Sequence, residues 1–318
     1  CGTAAISNAI LSFVESGDHI LMVDTCYEPT RDFCDKIMKK MGVETTYYDP
    51  VIGEGIRDLI QPNTKVLFLE SPGSITMEVQ DVPTLAKIAH EHDIIVMLDN
   101  TWAAGVNFSP FEHGVDISIQ AATKYIVGHS DVMLGTAIAN EKHWDQLREQ
   151  SYLMGQCVSP DDAYLGLRGI RTLDVRLRQH AENSLKVAQW LQSRPEVDHV
   201  RHPALESCPG HEFFQRDFTG GNGLFSFVLK TSYPRATTAL LDGMKHFSMG
   251  YSWGGFESLI LANEPKSFIS LSTIANQYFD GTLIRLHIGL ENVEDLIADL
   301  ERGFERYNSL ILEQSATT

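Results

Sequence analysis

Lys124 stands in the run Asp116-Ile-Ser-Ile-Gln-Ala-Ala-Thr123-Lys124-Tyr125-Ile-Val-Gly128-His129-Ser130-Asp131, directly after an apolar stretch with the character of a strand. A lysine at the inner end of a strand is poorly solvated, and poor solvation lowers an amine's pKa and makes it a nucleophile. The plain alternative is a loop lysine on the surface. A carboxylate at Asp99 closes the very apolar run Ile94–Leu98 and needs a partner there. It is either the N-cap of a helix or the counter-charge of a protonated ring nitrogen. The second role, beside a nucleophilic lysine, is the one that pyridoxal phosphate (PLP) requires, because a protonated pyridine draws electrons from an amino acid's α-carbon.

Further residues fit the same chemistry. Gly2-Thr3 opens a helix, whose exposed N–H groups and dipole favour a phosphate, and Thr123 adds a hydroxyl beside the lysine. Tyr27, in Thr25-Cys26-Tyr27-Glu28-Pro29, offers an aromatic face to a flat ring, although a lone tyrosine of this kind is also ordinary packing. Arg285 lies mid-strand among Leu283, Ile284, Leu286 and Ile288. Its planar fork suits a substrate carboxylate, with an internal salt bridge as the alternative. Tyr251-Ser252-Trp253-Gly254-Gly255 places two glycines after bulky aromatics, a pattern for a tight turn close to a ligand. His129 and His287 belong to no cluster with metal-ligand spacing and are expected to be structural or to support site residues from behind, with no metal. No GxGxxG follows the first strand, which excludes a nicotinamide reading.

The elements that must position these residues alternate in the first half of the chain. Helices are expected over 3–16, 28–41 and 82–92. Strands are expected over His19–Val23, Val43–Tyr48, Val66–Leu69, Ile94–Leu98, Ile117–Gln120 and Val132–Ala139. Continuous apolar strands with helical crossovers predict a mostly parallel sheet covered on both faces, with ligands beyond the strands' carboxyl ends. Asp24, Tyr27, Glu70, Asp99, Thr123 and Lys124 all fall just past such ends. From about residue 172 the pattern becomes a long helix over 174–193, strands over Leu224–Leu229 and Leu283–Ile288, and a closing helix over 292–307. The expected division is a large cofactor-binding domain, 1–171, and a smaller α+β domain, 172–318.

Composition agrees with a globular enzyme. Of 318 residues, 43% are hydrophobic and 21% charged, and no apolar run approaches a membrane span. A formal charge of −17 without basic clusters speaks against nucleic acid or an anionic membrane as partner. Five cysteines without CxxC or zinc spacing are expected to be free thiols in a reducing cytoplasm. The chain opens at Cys1-Gly2-Thr3-Ala4-Ala5, within a loop-to-helix pattern, and is expected to lack a native segment ahead of Cys1.

The run around Lys124 resembles the long, specific signature of the Cys/Met-metabolism PLP-dependent enzymes of fold type I, through Asp116, Thr123-Lys124-Tyr125 and Gly128-His129-Ser130. The resemblance extends through Glu70-Ser71-Pro72, Leu98-Asp99-Asn100-Thr101, Leu167-Arg168-Gly169 and Arg285-Leu-His-Ile-Gly289-Leu-Glu291. Leu69–Glu78 and the Ser252-Trp253-Gly254-Gly255 stretch are similar to the family's β-lyases; the γ-lyases and γ-synthases usually carry Ser-Leu-Gly-Gly at the latter place. The resemblance implies β-elimination of L-cystathionine to homocysteine, pyruvate and ammonia. Alternatives are a γ-lyase or cysteine desulfhydrase of the same family, or a non-catalytic PLP-binding regulator. It also implies that Lys124 holds PLP and acts with Tyr27 in catalysis. Asp99 would pair with the ring nitrogen, Tyr27 stack on the ring, and Gly2, Thr3 and Thr123 cradle the phosphate. Arg285 and Ser252 would fix the substrate carboxylate, with Tyr251 and Trp253 shaping the pocket. A homotetramer built from dimers is implied, in which a neighbour's N-terminal Tyr and Arg reach the phosphate. Ala121 and Ala122 depart from relatives that carry a serine near Thr-Lys, so the backbone is expected to compensate there.

Overall fold

In a computed structural model of the chain, residues 1–264, 269–270 and 281–317 are described. The first half builds a six-stranded sheet of order β2-β1-β3-β4-β5-β6. Its strands are β1 (His19–Val23), β2 (Glu44–Tyr48), β3 (Thr64–Glu70), β4 (Ile95–Asp99), β5 (Ile117–Gln120) and β6 (Thr136–Ala139). Strands β1 to β5 run parallel, and β6 returns antiparallel beside β5. Every residue of β1 and of β5 is buried. Successive side chains point to opposite faces, so both faces of the sheet are covered.

The helical connections follow the expected order with shorter bounds. Helix α1 (Gly2–Leu11) stops five residues short of the expected end at 16, with Ser12 as its C-cap, whose hydroxyl turns back to the Asn8 carbonyl. The segment 28–41 begins as α2 (Glu28–Phe33) and then widens into a π-turn, Cys34–Met38, before a 3₁₀ end at Gly42. Helix α3 (Val82–His90) is capped by the Asp81 side chain. Two helices carry no clean sequence signal. In α4 (Trp144–Leu153) only Leu147 is buried, and α5 (Pro160–Ile170) buries only two glycines. Neither shows the apolar stripe by which a core-facing helix is read.

A second sheet has order β7-β8-β11-β10-β9, formed by β7 (Val197–Arg201), β8 (Leu224–Leu229), β9 (Phe247–Ser248), β10 (Ser258–Asn263) and β11 (Leu283–His287). It is antiparallel except where β9 joins β10. Helices α6 (Leu173–Gln192), α7 (His211–Asp217), α8 (Pro234–Leu241) and α9 (Val293–Thr317) belong to this half. Its core joins Val187, Phe225, Phe227, Ile284, Leu286, Leu296 and Phe304. The two sheets are tied where Trp102 donates to the Leu224 carbonyl (3.1 Å) and Ser226 to the Ile75 carbonyl (2.7 Å). Those bonds bring β8 and β11, and Arg285 with them, to the carboxyl edge of the first sheet.

Candidate active site

The carboxyl edge of the parallel sheet assembles the charged groups. Glu70 and Asp99 are register partners at the ends of β3 and β4, and Lys124 follows β5 by four residues. Burial lowers the Lys124 amine to about 8, helped by the Arg285 guanidinium and opposed by Asp99. The amine donates to Ser252 Oγ (2.8 Å) and lies 5.3 Å from the Trp253 ring centre. Asp99 is buried, and its Oδ1 accepts the Thr101 N–H (3.0 Å) and hydroxyl (2.5 Å). Burial raises the Asp99 carboxyl against the effect of those bonds and of Lys124. Among the described residues Oδ2 has no hydrogen-bond partner. The N-cap alternative thus describes one oxygen and leaves the other available.

Tyr27 is 42% exposed, so one face of its ring is open. Its N–H donates to Glu70 Oε2 (2.7 Å). Burial, then the neighbouring Asp99, hold the Glu70 carboxyl well above the usual range. Burial and the nearby Glu70 and Asp99 also push the Tyr27 phenol up. Arg285 is 8% exposed and donates to the carbonyls of Gly250 (3.1 Å) and Tyr251 (2.9 Å). No carboxylate pairs with it among the described residues, which removes the internal salt bridge. Burial lowers it to about 10, so it stays cationic at neutral pH.

This edge holds a softened amine, a buried carboxylate with a spare oxygen, an open aromatic face and a desolvated arginine within one electrostatic neighbourhood. Residues 1–305 match the family described as Cys/Met metabolism PLP-dependent enzyme. The chain belongs to that family. It is 60% identical over 309 residues to a cystathionine beta-lyase of Haemophilus influenzae and 59% to one of Escherichia coli, matches that span 96% of this chain and 78% of each relative. A solved cystathionine gamma-lyase of Lactobacillus plantarum, complexed with L-serine, superposes with a TM-score of 0.88 at 29% identity, over 96% of this chain and 81% of that one. The fold is therefore the fold type I architecture of PLP enzymes, and the cofactor is PLP.

The residues present fit that cofactor. Asp99 Oδ2 is the acceptor a ring nitrogen needs, and Lys124 supplies the amine. At the phosphate end, the first N–H groups of α1 have no partners within the helix. Gly2 lets this helix end approach the Lys124 loop, since a Cβ there would stand 2.6 Å from the Ala121 Cβ. Thr3 is half-buried in the same first turn.

Other residues expected at the site also make contacts with the protein itself. The Thr123 hydroxyl lies against the backbone of Leu134, within 3.1 Å of its carbonyl and 2.9 Å of its N–H, so it is engaged with protein. The N–H groups of Ala121, Thr123 and Lys124 are bonded to Thr101 Oγ1, the Leu134 carbonyl and the Ala121 carbonyl. The Tyr251 side chain is 86% exposed. The Tyr251 carbonyl accepts from Arg285, and its phenol lies near enough to act on the same guanidinium.

Glu70, Thr101, Tyr125 and His287 received no role in the sequence reading, although Glu70 was placed at the converging strand ends. Glu70 was visible as a carboxylate past a strand end. Thr101 had a weaker signal, a hydroxyl two residues after an aspartate, the spacing of an Asx turn. Tyr125 and His287 meet only through the fold. No group of three or more His, Cys, Asp or Glu among the described residues could hold a metal.

Proposed function

We propose that the chain is a carbon–sulfur lyase that cleaves L-cystathionine by β-elimination to homocysteine, pyruvate and ammonia. The observation that carries this reading is the Lys124 amine, lowered to about 8 and hydrogen-bonded to Ser252 in the turn that also presents Trp253. An amine so placed exchanges protons near neutral pH. Bound PLP supplies the electron sink that makes an amino acid's Cα–H acidic. Asp99 keeps that sink charged through its spare oxygen, and Tyr27 covers one face of the ring. Arg285 holds the substrate carboxylate. Lys124 takes the Cα proton, and the electron pair left behind expels the sulfur from the β-carbon. Lys124 then returns a proton to the departing thiolate. Released 2-aminoacrylate reacts with water to give pyruvate and ammonia. High identity to cystathionine beta-lyases supports the substrate. The test is identification of the keto acid formed from L-cystathionine. Pyruvate is expected, and 2-oxobutyrate would assign γ-elimination instead.

The finer organisation is part of the same proposal. Residues 1–171 form the cofactor domain and 172–318 the small domain. The enzyme works in the cytoplasm, where its five free cysteines stay reduced. Helices α4 and α5 expose Tyr152, Leu153, Tyr164, Leu167 and Ile170, each more than half accessible. So large an apolar patch suits burial against further copies of the chain. A homotetramer is the expected mass by light scattering.

A further inference from the structure

Behind Lys124 the rings of Tyr125, His180 and His287 pack together, with Trp253 against Tyr125 on the side of the site. Tyr125 and His287 are each 1% exposed and His180 is fully buried. Tyr125 stands 5.3 Å from His180, 5.6 Å from Trp253 and 5.8 Å from His287, with His180 and His287 5.2 Å apart. The His180 Nδ1–H bonds the Ile288 carbonyl (2.7 Å), anchoring that ring.

His287 joins this cluster to the turn over the site. Its Nε2 lies 3.2 Å from the Gly254 nitrogen and 3.1 Å from the Gly255 carbonyl, while Nδ1 lies 3.4 Å from the Tyr125 hydroxyl. A neutral imidazole carries one N–H, so Nε2 satisfies one of the two peptides and not both. The Tyr125 oxygen accepts the Gly223 N–H (3.0 Å) and keeps a second lone pair for an Nδ1–H of His287. The Gly254 N–H is directed at Nε2, which accepts it and leaves the ring proton on Nδ1, facing Tyr125. The held turn presses on the lysine itself. Gly254 has φ +85°, and a Cβ there would come within 2.8 Å of the Lys124 carbonyl carbon and the Tyr125 nitrogen. One strand-end histidine thus sets the turn whose Ser252 and Trp253 touch the lysine amine.

We propose that His287, with its tautomer set by Tyr125, is a positioning residue that clamps the Ser252-Trp253-Gly254-Gly255 turn onto Lys124. The inference rests on the reading of Lys124 as the active amine. The Tyr125 hydroxyl and the His287 ring touch no substrate; they act through the turn's backbone.

The test uses the full chain freed of cofactor, comparing His287→Leu, His287→Gln and Tyr125→Phe with the unaltered protein. The readouts are hydrogen exchange of residues 252–256 and the titration of Lys124, followed by site-resolved amine labelling. His287→Leu is expected to speed local exchange about tenfold, the loss of one hydrogen bond. It should also move the Lys124 midpoint upward by about one pH unit as water enters. His287→Gln, whose amide oxygen restores an acceptor for the Gly254 N–H, should recover most of both changes, and Tyr125→Phe should reproduce part of them. An unmoved Lys124 midpoint in Tyr125→Phe and in folded His287→Leu overturns the proposal. So does a His287→Gln protein as perturbed as the leucine variant, which would make the ring mere filler. If His287→Leu does not fold, Tyr125→Phe, which deletes one oxygen, decides alone. Failure of the loaded, unaltered enzyme to release pyruvate would instead count against the proposed function, since neither readout here involves turnover.

Discussion

Two buried aspartates sit at opposite ends of the same pair of parallel strands. Asp116 immediately precedes β5, and Asp99 closes β4. Asp116 is held on both oxygens. Its Oδ2 accepts from His90 Nε2 and the Val96 N–H (both 2.9 Å), its Oδ1 from Asn140 (2.8 Å), and its own peptide bonds to Val96 and Asn140. Asp99 takes two bonds, both from Thr101 and both on one oxygen. The carboxylate with bonds on both oxygens is a bracket holding α3, β4 and the β6 exit together. The one left partly unpaired beside a desolvated lysine is equipped to bind something else. Burial alone did not separate them; the count of partners did.

The largest effect that would break or sharpen this contrast is at the lysine facing Asp99. Lys124→Ala should lower turnover by about 10²–10⁴-fold, the span of a lost acid–base group, and abolish the visible absorption of lysine-bound cofactor. Retained absorption would remove Lys124 from its role. The paired substitution of the two aspartates comes next. Asp99→Asn should keep its fold and lose kcat by about tenfold or more, whereas Asp116→Asn should keep kcat and lose about 1–3 kcal/mol in denaturant unfolding. If the two variants exchange phenotypes, the contrast fails. Arg285→Leu should raise KM about tenfold to a hundredfold, the worth of a charge-assisted hydrogen bond, while cofactor stays bound.

The pH response is smaller and has a definite sign. The folded Lys124 titrates near 8 against 10.5 for an ordinary lysine. The unfolded chain therefore holds more protons between those values, and stability rises with pH from about 8 to 10.5. Lys124→Met should flatten that rise in chemical unfolding, and capture of the cofactor aldehyde by the unaltered chain should quicken with pH until about 8. The smallest effect is expected at Tyr251, whose ring is solvent-exposed. Tyr251→Ala should change KM by less than about threefold, as surface substitutions do.

Much of the catalytic edge was legible because parallel strands impose it. His19–Val23, Ile117–Gln120 and Leu224–Leu229 appear with the bounds that their apolar runs suggest. In such a sheet, polar residues just past strand ends must converge. The second half was harder. Residues 251–259 look like one glycine-rich turn, yet Ser258–Asn263 pairs as β10 beside β11. Helices α4 and α5 expose the apolar residues that normally announce a buried face.

The sequence by itself determined the chemistry available to this protein: a lysine after a buried strand, an aspartate at the end of another, and an arginine no solvent explains. Residue type and period are local properties, so one chain suffices to read them. Only the tertiary structure decided which of these groups stay free to act. It turned Thr123 toward Leu134, left Asp99 one open oxygen, sent the Tyr251 ring into solvent, and set His287 behind Lys124 across 163 residues of chain. Hydrogen-bond partners and desolvation depend on neighbours far apart in sequence, and folding alone brings those together.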